Sequence, residues 1–306
     1  KSTFCLPLGV NEMKNGIIGS GSIGLLMSSY LKQDHEVTVY VHRHEQKAQL
    51  SEKGITRFKQ SKLDKTVRIR AEHFTDLNDE DCYFVCVKQH QIENLIPYLK
   101  KIKKPIIFLQ NGMGHLKYMK LLERNTYVGV VEHGAKRIDD TTVDHLGNGT
   151  IRLANFLGDE EMLKNIIRNI HKDSFPFVKE ENYELLLKNK LIVNAVINPL
   201  TAIFNIPNGK ILTNKHIEKL ARKLCKEAAT VLELDEEKSW KRVVNTAEIT
   251  RENTSSMRAD ILHHRKTEIE AISGYLLEQN ENLPYTKFVY HSLLALEKEG
   301  NNSHEY

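Results

Sequence analysis

The chain has few cysteines, tryptophans and prolines: four, one and seven among 306 residues. Four cysteines, Cys5, Cys82, Cys86 and Cys225, give no disulfide framework in a chain of this size. Cys82 and Cys86 share one strand-like run, where four residues span roughly 13 Å, too far for a disulfide. No histidine–cysteine spacing resembles a zinc site, so no metal is expected. Long apolar runs are missing as well. The most apolar stretch, LIVNAVINPL, is broken by Asn194, Asn198 and Pro199 and falls short of the roughly 18 residues of a membrane span. A net charge of +4, from 44 basic and 40 acidic residues, is too balanced to point to nucleic acid. These absences leave a reduced, cytoplasmic globular protein, 40% hydrophobic and 27% charged, with chain enough for two domains.

The first twelve residues, KSTFCLPLGVNE, lack the basic end and apolar centre of a signal peptide. They are expected to form a leader outside the fold, with Met13 as the natural start. The end, GNNSHEY, is polar and expected to fray. Between them, short apolar runs alternate with helical stretches. GIIG precedes a glycine turn and SIGLLMSSYLKQ follows it with helical spacing. HEVTVYVHR, CYFVCVK, PIIFLQNG and NTYVGVV read as further strands, and such alternation predicts parallel βαβ units. TTVDHLGNGTIRLA, with its Gly-Asn-Gly centre, predicts a hairpin, and FPFVKEE a last strand. Beyond about Glu181 the pattern is helical: YELLLKNKLIVNAVINPLTAIF, HIEKLARKLCKEAATVLEL and MRADILHHRKTEIEAISGYLLEQ. The expected organisation is α/β: a Rossmann dinucleotide-binding domain over 13–178 and an all-α domain over 179–300.

Gly19, Gly21 and Gly24 form G-x-G-x-x-G between the first strand and its helix. Free N–H groups and the helix dipole favour a pyrophosphate there. Gly19 permits the tight turn, Gly21 the approach of phosphate, and Gly24 close helix–strand packing. An NAD site places an acid about 20 residues on; this chain offers His42, Arg43 and His44. Arg43 suits a 2′-phosphate and favours NADP, a solvated surface arginine being the alternative. Lys88 and Asn111 close two more strands, and ligands in such sheets bind at the strands' carboxyl ends.

In the helical part, Lys190, Asn194 and Asn198 stand at i, i+4 and i+8 among Leu, Ile, Val and Ala. A polar stripe about 80° wide is too narrow for a solvated face and suggests groups aimed into a pocket. Pro199 is expected to distort that helix, and Asn208–Gly209 to turn the chain. Asn253, Ser255 and Ser256 precede the next helix as caps or as anion contacts.

The segments GSGSIG, VCVKQHQ, LQNGMG, KLIVNAVINPLTAIFNIPNG, NTSSM and KTEIEAISGYLL occur in the order found in the ketopantoate reductase (2-dehydropantoate 2-reductase) family, which this chain resembles from Met13 to about Ala295. That resemblance implies reduction of 2-dehydropantoate to (R)-pantoate with NADPH, for pantothenate and coenzyme A synthesis. It implies an active site between a Rossmann and a helical domain. By position, Lys190 resembles the catalytic lysine and Glu268 its carboxylate partner. Asn111, Asn194, Asn198 and Ser256 resemble substrate positions, and Asn208 and Asn253 further active-site asparagines. Gly19, Ser20, Gly21, Ser22, Ile23, Gly24, Arg43 and Lys88 resemble the NADPH contacts, with Asn111 bordering both ligands. Asn15 departs from the family by standing at a normally apolar position, a point of weakness in the first strand. Two other readings stay open: a reductase of another 2-oxo acid on the same fold, and a non-catalytic NADPH sensor, against which Lys190 and Glu268 argue. A homodimer is compatible with the sequence, which does not set the oligomeric state.

Overall fold

The structure, a computed structural model, describes residues 11–122 and 124–302. Cys5, most of the expected leader and the last four residues of the polar end lie outside the described residues. The chain divides into two compact units. One holds the described residues to Gln110 together with Leu116–Leu186; the other holds Asn111–His115 and the described residues from Leu187 onward.

In the first unit, β1 (Lys14–Ile18) leads through the glycine turn into α1 (Ser22–Leu31). The chain continues through β2 (Glu36–Val41), α2 (His44–Lys53), β3 (Ile55–Lys59), β4 (Lys62–Val67), β5 (Arg70–His73) and β6 (Cys82–Val85). Then come α3 (Ile92–Leu99), β7 (Ile106–Phe108), α4 (Leu116–Met119), β8 (Thr126–Val131), β9 (Gly134–Arg137), β10 (Thr142–Gly147), β11 (Ile151–Leu157), α5 (Glu160–Ile170) and β12 (Phe177–Glu180). The larger sheet has the order β12-β11-β8-β7-β6-β1-β2-β5, parallel from β5 to β8, with β11 antiparallel to β8. This is the doubly wound order of a Rossmann sheet, and β1, flanked by β2 and β6, ends at the point where the winding reverses. The strand Phe177–Glu180 runs across the boundary expected near 179 and pairs throughout with β11.

Asn15 does not break β1. It is fully buried, its Nδ2 donates to Met13 O at 3.2 Å, and its Oδ1 accepts from Cys82 Sγ at 3.3 Å. A buried amide costs little once its donor and acceptor are both satisfied. Cys82, Cys86 and Cys225 are free, and burial pushes the Cys225 thiol up to about 12.

β4, β3, β10 and β9 form a second, four-stranded sheet that lies on α1. The expected hairpin is therefore not formed. β10 pairs with β9 and β3, whereas β11 joins the main sheet beside β8 and β12. The Gly-Asn-Gly link crosses between sheets because Ile151, Leu153 and Ala154 complete the main core. With sheets on both faces, α1 is buried continuously from Gly24 to Leu31, which explains its lack of a polar face.

The contact between α1 and the second sheet is polar as well as apolar. The Arg57 guanidinium lies 3.6 Å over the Tyr30 ring, and Arg57 Nε bonds Asp64 at 2.6 Å. Gly149 N–H donates to His133 Nδ1 at 3.1 Å, which makes that nitrogen an acceptor. His145 Nε2, also 3.1 Å from it, must then donate, and His145 Nδ1 accepts from Tyr30 O–H at 2.8 Å. A second proton on His133 would displace both donors. Burial pushes His133 down to about 4, His145 adding to the effect, and burial alone takes His115 to about 4.

These histidines predict acid sensitivity. Their folded values lie below the unfolded value near 6.5, so the unfolded chain takes up the proton first. Their contribution is complete above about pH 6.5 and is lost as pH falls, by about 2 kcal/mol per histidine at pH 5. Denaturant unfolding at pH 7 and pH 5 measures this, and His133→Gln should flatten the slope. A slope unchanged in His133→Gln would remove His133 from this acid sensitivity.

The second unit is helical. α6 (Tyr183–Ile203) enters it at Leu187 and is apolar nearly all round, as a central helix must be. Pro199 does not interrupt it; the helix runs unbroken to Ile203. The chain turns at Asn208–Gly209 into α7 (Lys210–Thr213), then α8 (Lys215–Leu232) and α9 (Glu236–Ile249). Asn214 caps α8 by accepting from His216 N at 3.0 Å, and Ile217, Ala221, Leu224 and Ala228 bury one stripe of it. The stretch read as one helix from Met257 to Gln279 is broken. α10 (Ser256–Leu262) ends where His264 takes φ +52° and Arg265 N bonds Asp260 O at 2.9 Å. A π turn at Glu270–Gly274 then leads into α11 (Tyr275–Gln279), and α12 (Pro284–Asn302) closes the unit.

Candidate functional site

Two groups of expected residues take shape, one in each unit. In the first, the glycine turn has the geometry of a phosphate cradle. Gly19 stands at φ +103°, and a Cβ there would meet Val87 Cγ1 at 2.7 Å. A Cβ on Gly24 would stand 1.9 Å from Gly19 O, so helix and turn touch backbone to backbone. A Cβ on Gly21 would meet nothing within 4 Å. The space beside Gly21 is open, and α1 has neither a side-chain cap nor an acid in its first turn. An anion can take the exposed N–H groups there, and the residues fit a dinucleotide pyrophosphate. Ser20 is buried, while Ser22 and Ile23 are half-buried at the helix start.

Arg43 lies between β2 and α2 and pairs with the Asp140 carboxylate. Lys88 is half-buried at the turn after β6. Gln110 Nε2 donates to Val85 O at 2.8 Å and Val87 O at 2.9 Å, tying the end of β7 to that same turn.

In the second unit, α6 puts Lys190, Asn194 and Asn198 on one stripe. Asn194 and Asn198 are buried, and Lys190 is half-buried. Asn111 joins them from a distant part of the sequence. Asn194 Nδ2 donates to Asn111 Oδ1 at 3.3 Å, and Asn111 Nδ2 donates to Glu268 Oε2 at 2.7 Å. Asn111 thus orients a carboxylate with one face of its amide and receives Asn194 on the other. Gly112 makes this reach possible: at φ +79°, its added Cβ would stand 2.1 Å from Ala271 O in the π turn. Sequence reading singled out Asn111 but missed Gly112 and the π turn, whose signal is a backbone contact without a side-chain pattern.

The remaining positions gather at the carboxyl end of α6. Thr201 Oγ1 and Ser255 Oγ lie 2.7 Å apart, and Ser255 caps α10 by accepting from Arg258 N at 3.1 Å. Asn208 N donates to Asn253 O at 3.1 Å, and Asn208 Nδ2 to Thr250 Oγ1 at 2.9 Å. Asn208 Oδ1 is buried with no donor among the described residues. A buried acceptor left without a partner is costly, and a ligand hydroxyl would satisfy it. Asn253 and Ser256 are exposed. Among the described residues, no cluster of histidine, cysteine or acid could hold a metal, and no helix is long and apolar enough to cross a membrane.

Known proteins resemble this chain over nearly its whole length. The model "Ketopantoate reductase PanE/ApbA" matches residues 16–158, and its C-terminal counterpart matches 182–297. A 2-dehydropantoate 2-reductase of Bacillus subtilis is 42% identical over 298 residues, covering 94% of this chain and 99% of the relative. The crystal structure of a probable 2-dehydropantoate 2-reductase from Bacillus subtilis superposes with a TM-score of 0.83 at 40% identity, covering 93% of this chain and all of that one. At 22% identity, a ternary structure of D-mandelate dehydrogenase with NADH shares the fold, with a TM-score of 0.87 over 94% of this chain and all of that one. With both family models placed in order along its two units and a close full-length relative, the chain belongs to the ketopantoate reductase (PanE/ApbA) family.

Proposed function

We propose that the chain reduces 2-dehydropantoate to (R)-pantoate with NADPH, in the cytoplasm, for pantothenate and coenzyme A synthesis. The observation that carries this reading is the chain of bonds Asn194–Asn111–Glu268, which fixes a carboxylate and two amides beside the stripe that begins at Lys190. A reduced nicotinamide dinucleotide, held by its pyrophosphate at the glycine turn, would supply the hydride. All other work falls to side chains. Lys190, as the ammonium, passes its proton to the carbonyl oxygen while negative charge builds there. Asn111 holds the Glu268 carboxylate in one orientation. Asn208 Oδ1 accepts the substrate's 4-hydroxyl, and Asn198, Asn253 and Ser256 complete the polar set around the substrate. An acid catalyst has no use in a sensor, which argues for turnover.

The choice of NADPH rests on Arg43, where an NAD site would carry an acid for the ribose hydroxyls. Its guanidinium fork matches phosphate oxygens. Lys88 adds a second cation to the dinucleotide side. The test is NADPH oxidation by the purified chain with 2-dehydropantoate, the product identified as (R)-pantoate. NADH should support turnover at least about tenfold less efficiently, and 2-oxo acids without the 4-hydroxyl should be poor substrates. Equal use of both dinucleotides would remove the NADPH choice. Preferred turnover of acids lacking the hydroxyl would move the substrate.

A further inference from the structure

We infer that Arg137 is a second 2′-phosphate-binding residue, sharing that group with Arg43 across a seat that the Asp140 carboxylate now fills. The inference rests on the NADPH reading above and adds a residue from the second sheet. Arg43 follows β2, whereas Arg137 ends β9, yet one carboxylate oxygen of Asp140 contacts both guanidiniums. The turn that carries this carboxylate is firmly built. Gln46 Nε2 donates to Asp140 O at 3.0 Å, Arg137 Nε to Asp139 O at 2.9 Å, and Thr141 N to Asp139 Oδ1 at 2.7 Å.

Two guanidiniums converge on the Asp140 carboxylate, while the Asp139 carboxylate is taken up by Thr141 N and Oγ1. The neighbouring cation Lys47 does not share Asp140; Glu72 takes it at 2.7 Å. A structural ion pair needs one arginine, so the second is surplus to pinning the turn. Both arginine side chains remain about a third exposed, 39% for Arg43 and 33% for Arg137, so neither is sealed in by its ion pair. A carboxylate held between two forks marks the position of an oxyanion, and a phosphate carries more charge and more acceptor oxygens for the same donors. Asp140 thus holds both guanidiniums in place for a group that reaches both.

Binding of fragments tests this without turnover. Wild-type protein should bind adenosine 2′,5′-bisphosphate more tightly than adenosine 5′-monophosphate by titration calorimetry. Arg137→Gln should weaken the bisphosphate about ten- to a hundredfold, the loss expected for one charge-assisted contact, and leave the monophosphate unchanged. Monophosphate binding also reports that the variant is folded. If Arg137→Gln does not fold, Arg137→Lys keeps the charge without the fork and should give a smaller loss confined to the bisphosphate. A wild type with no preference between the fragments overturns the NADPH reading and this inference with it. A preference that survives in Arg137→Gln but disappears in Arg43→Gln overturns the inference alone. Equal losses for both fragments make Arg137 a support of the turn and overturn it too.

Discussion

Lys190→Ala is expected to lower kcat by at least about a hundredfold, the lower end of what a positioned general acid supplies. The variant also removes the charge that faces the new alkoxide, so substrate affinity should fall. Dinucleotide affinity should hold, because the glycine turn and Arg43 belong to the other unit. The fold should hold as well. Lys190 lies inside α6, half-buried, and alanine is the better helix former. Measuring kcat, the Kd for NADPH and Tm on one preparation separates these effects. Near-normal kcat in a folded variant would remove Lys190 from the mechanism.

Gly24→Ala is the second large effect, and its sign opposes helix propensity. Gly24 lies within α1, where alanine would ordinarily add about 1 kcal/mol. Here the methyl would stand 1.9 Å from Gly19 O and 3.5 Å from Cys86 Cβ. The helix has no room to retreat, because a sheet covers each face. Overpacking of this kind costs about 1–3 kcal/mol, so Tm should fall while the turn deforms and dinucleotide affinity drops. Gly21→Ala is the matched comparison. Its methyl meets no protein atom, so Tm should stay while affinity falls, because the methyl fills the ligand's space. A lowered Tm in Gly21→Ala, or an unchanged one in Gly24→Ala, would contradict the assigned roles of the two glycines.

Much of this was legible because the signals are local. A strand, three glycines and a helix fall within one continuous stretch, Lys14–Leu31, and the α6 stripe is one helix read at its own period. The second sheet was illegible for a physical reason. β4 is exposed along nearly all its length, so KLDKTV carries no apolar alternation. The Gly-Asn-Gly link looks like a turn in sequence, and only the need of β11 for the main core sends the chain elsewhere. The break after Leu262 was missed because His263, His264, Arg265 and Lys266 contain neither glycine nor proline; a left-handed histidine makes the turn. The sequence offers Arg43 as a 2′-phosphate ligand or a solvated arginine and hides its carboxylate partner, Asp140, because that lies 97 residues away.

The membership of Asn111–His115 in the helical unit has a consequence for how the protein is made. The Asn111–Glu268 bond spans 157 residues. During synthesis the segment bearing Asn111 leaves the ribosome long before its partners exist, and closing so long a loop is an entropically costly, late step. The carboxylate therefore takes its final orientation only after most of the chain has emerged. No single cut can release the helical unit whole: a fragment beginning at Leu187 would lack the strut that orients Glu268 and the glycine that packs on the π turn. Such a fragment could be helical and still carry an unfinished site.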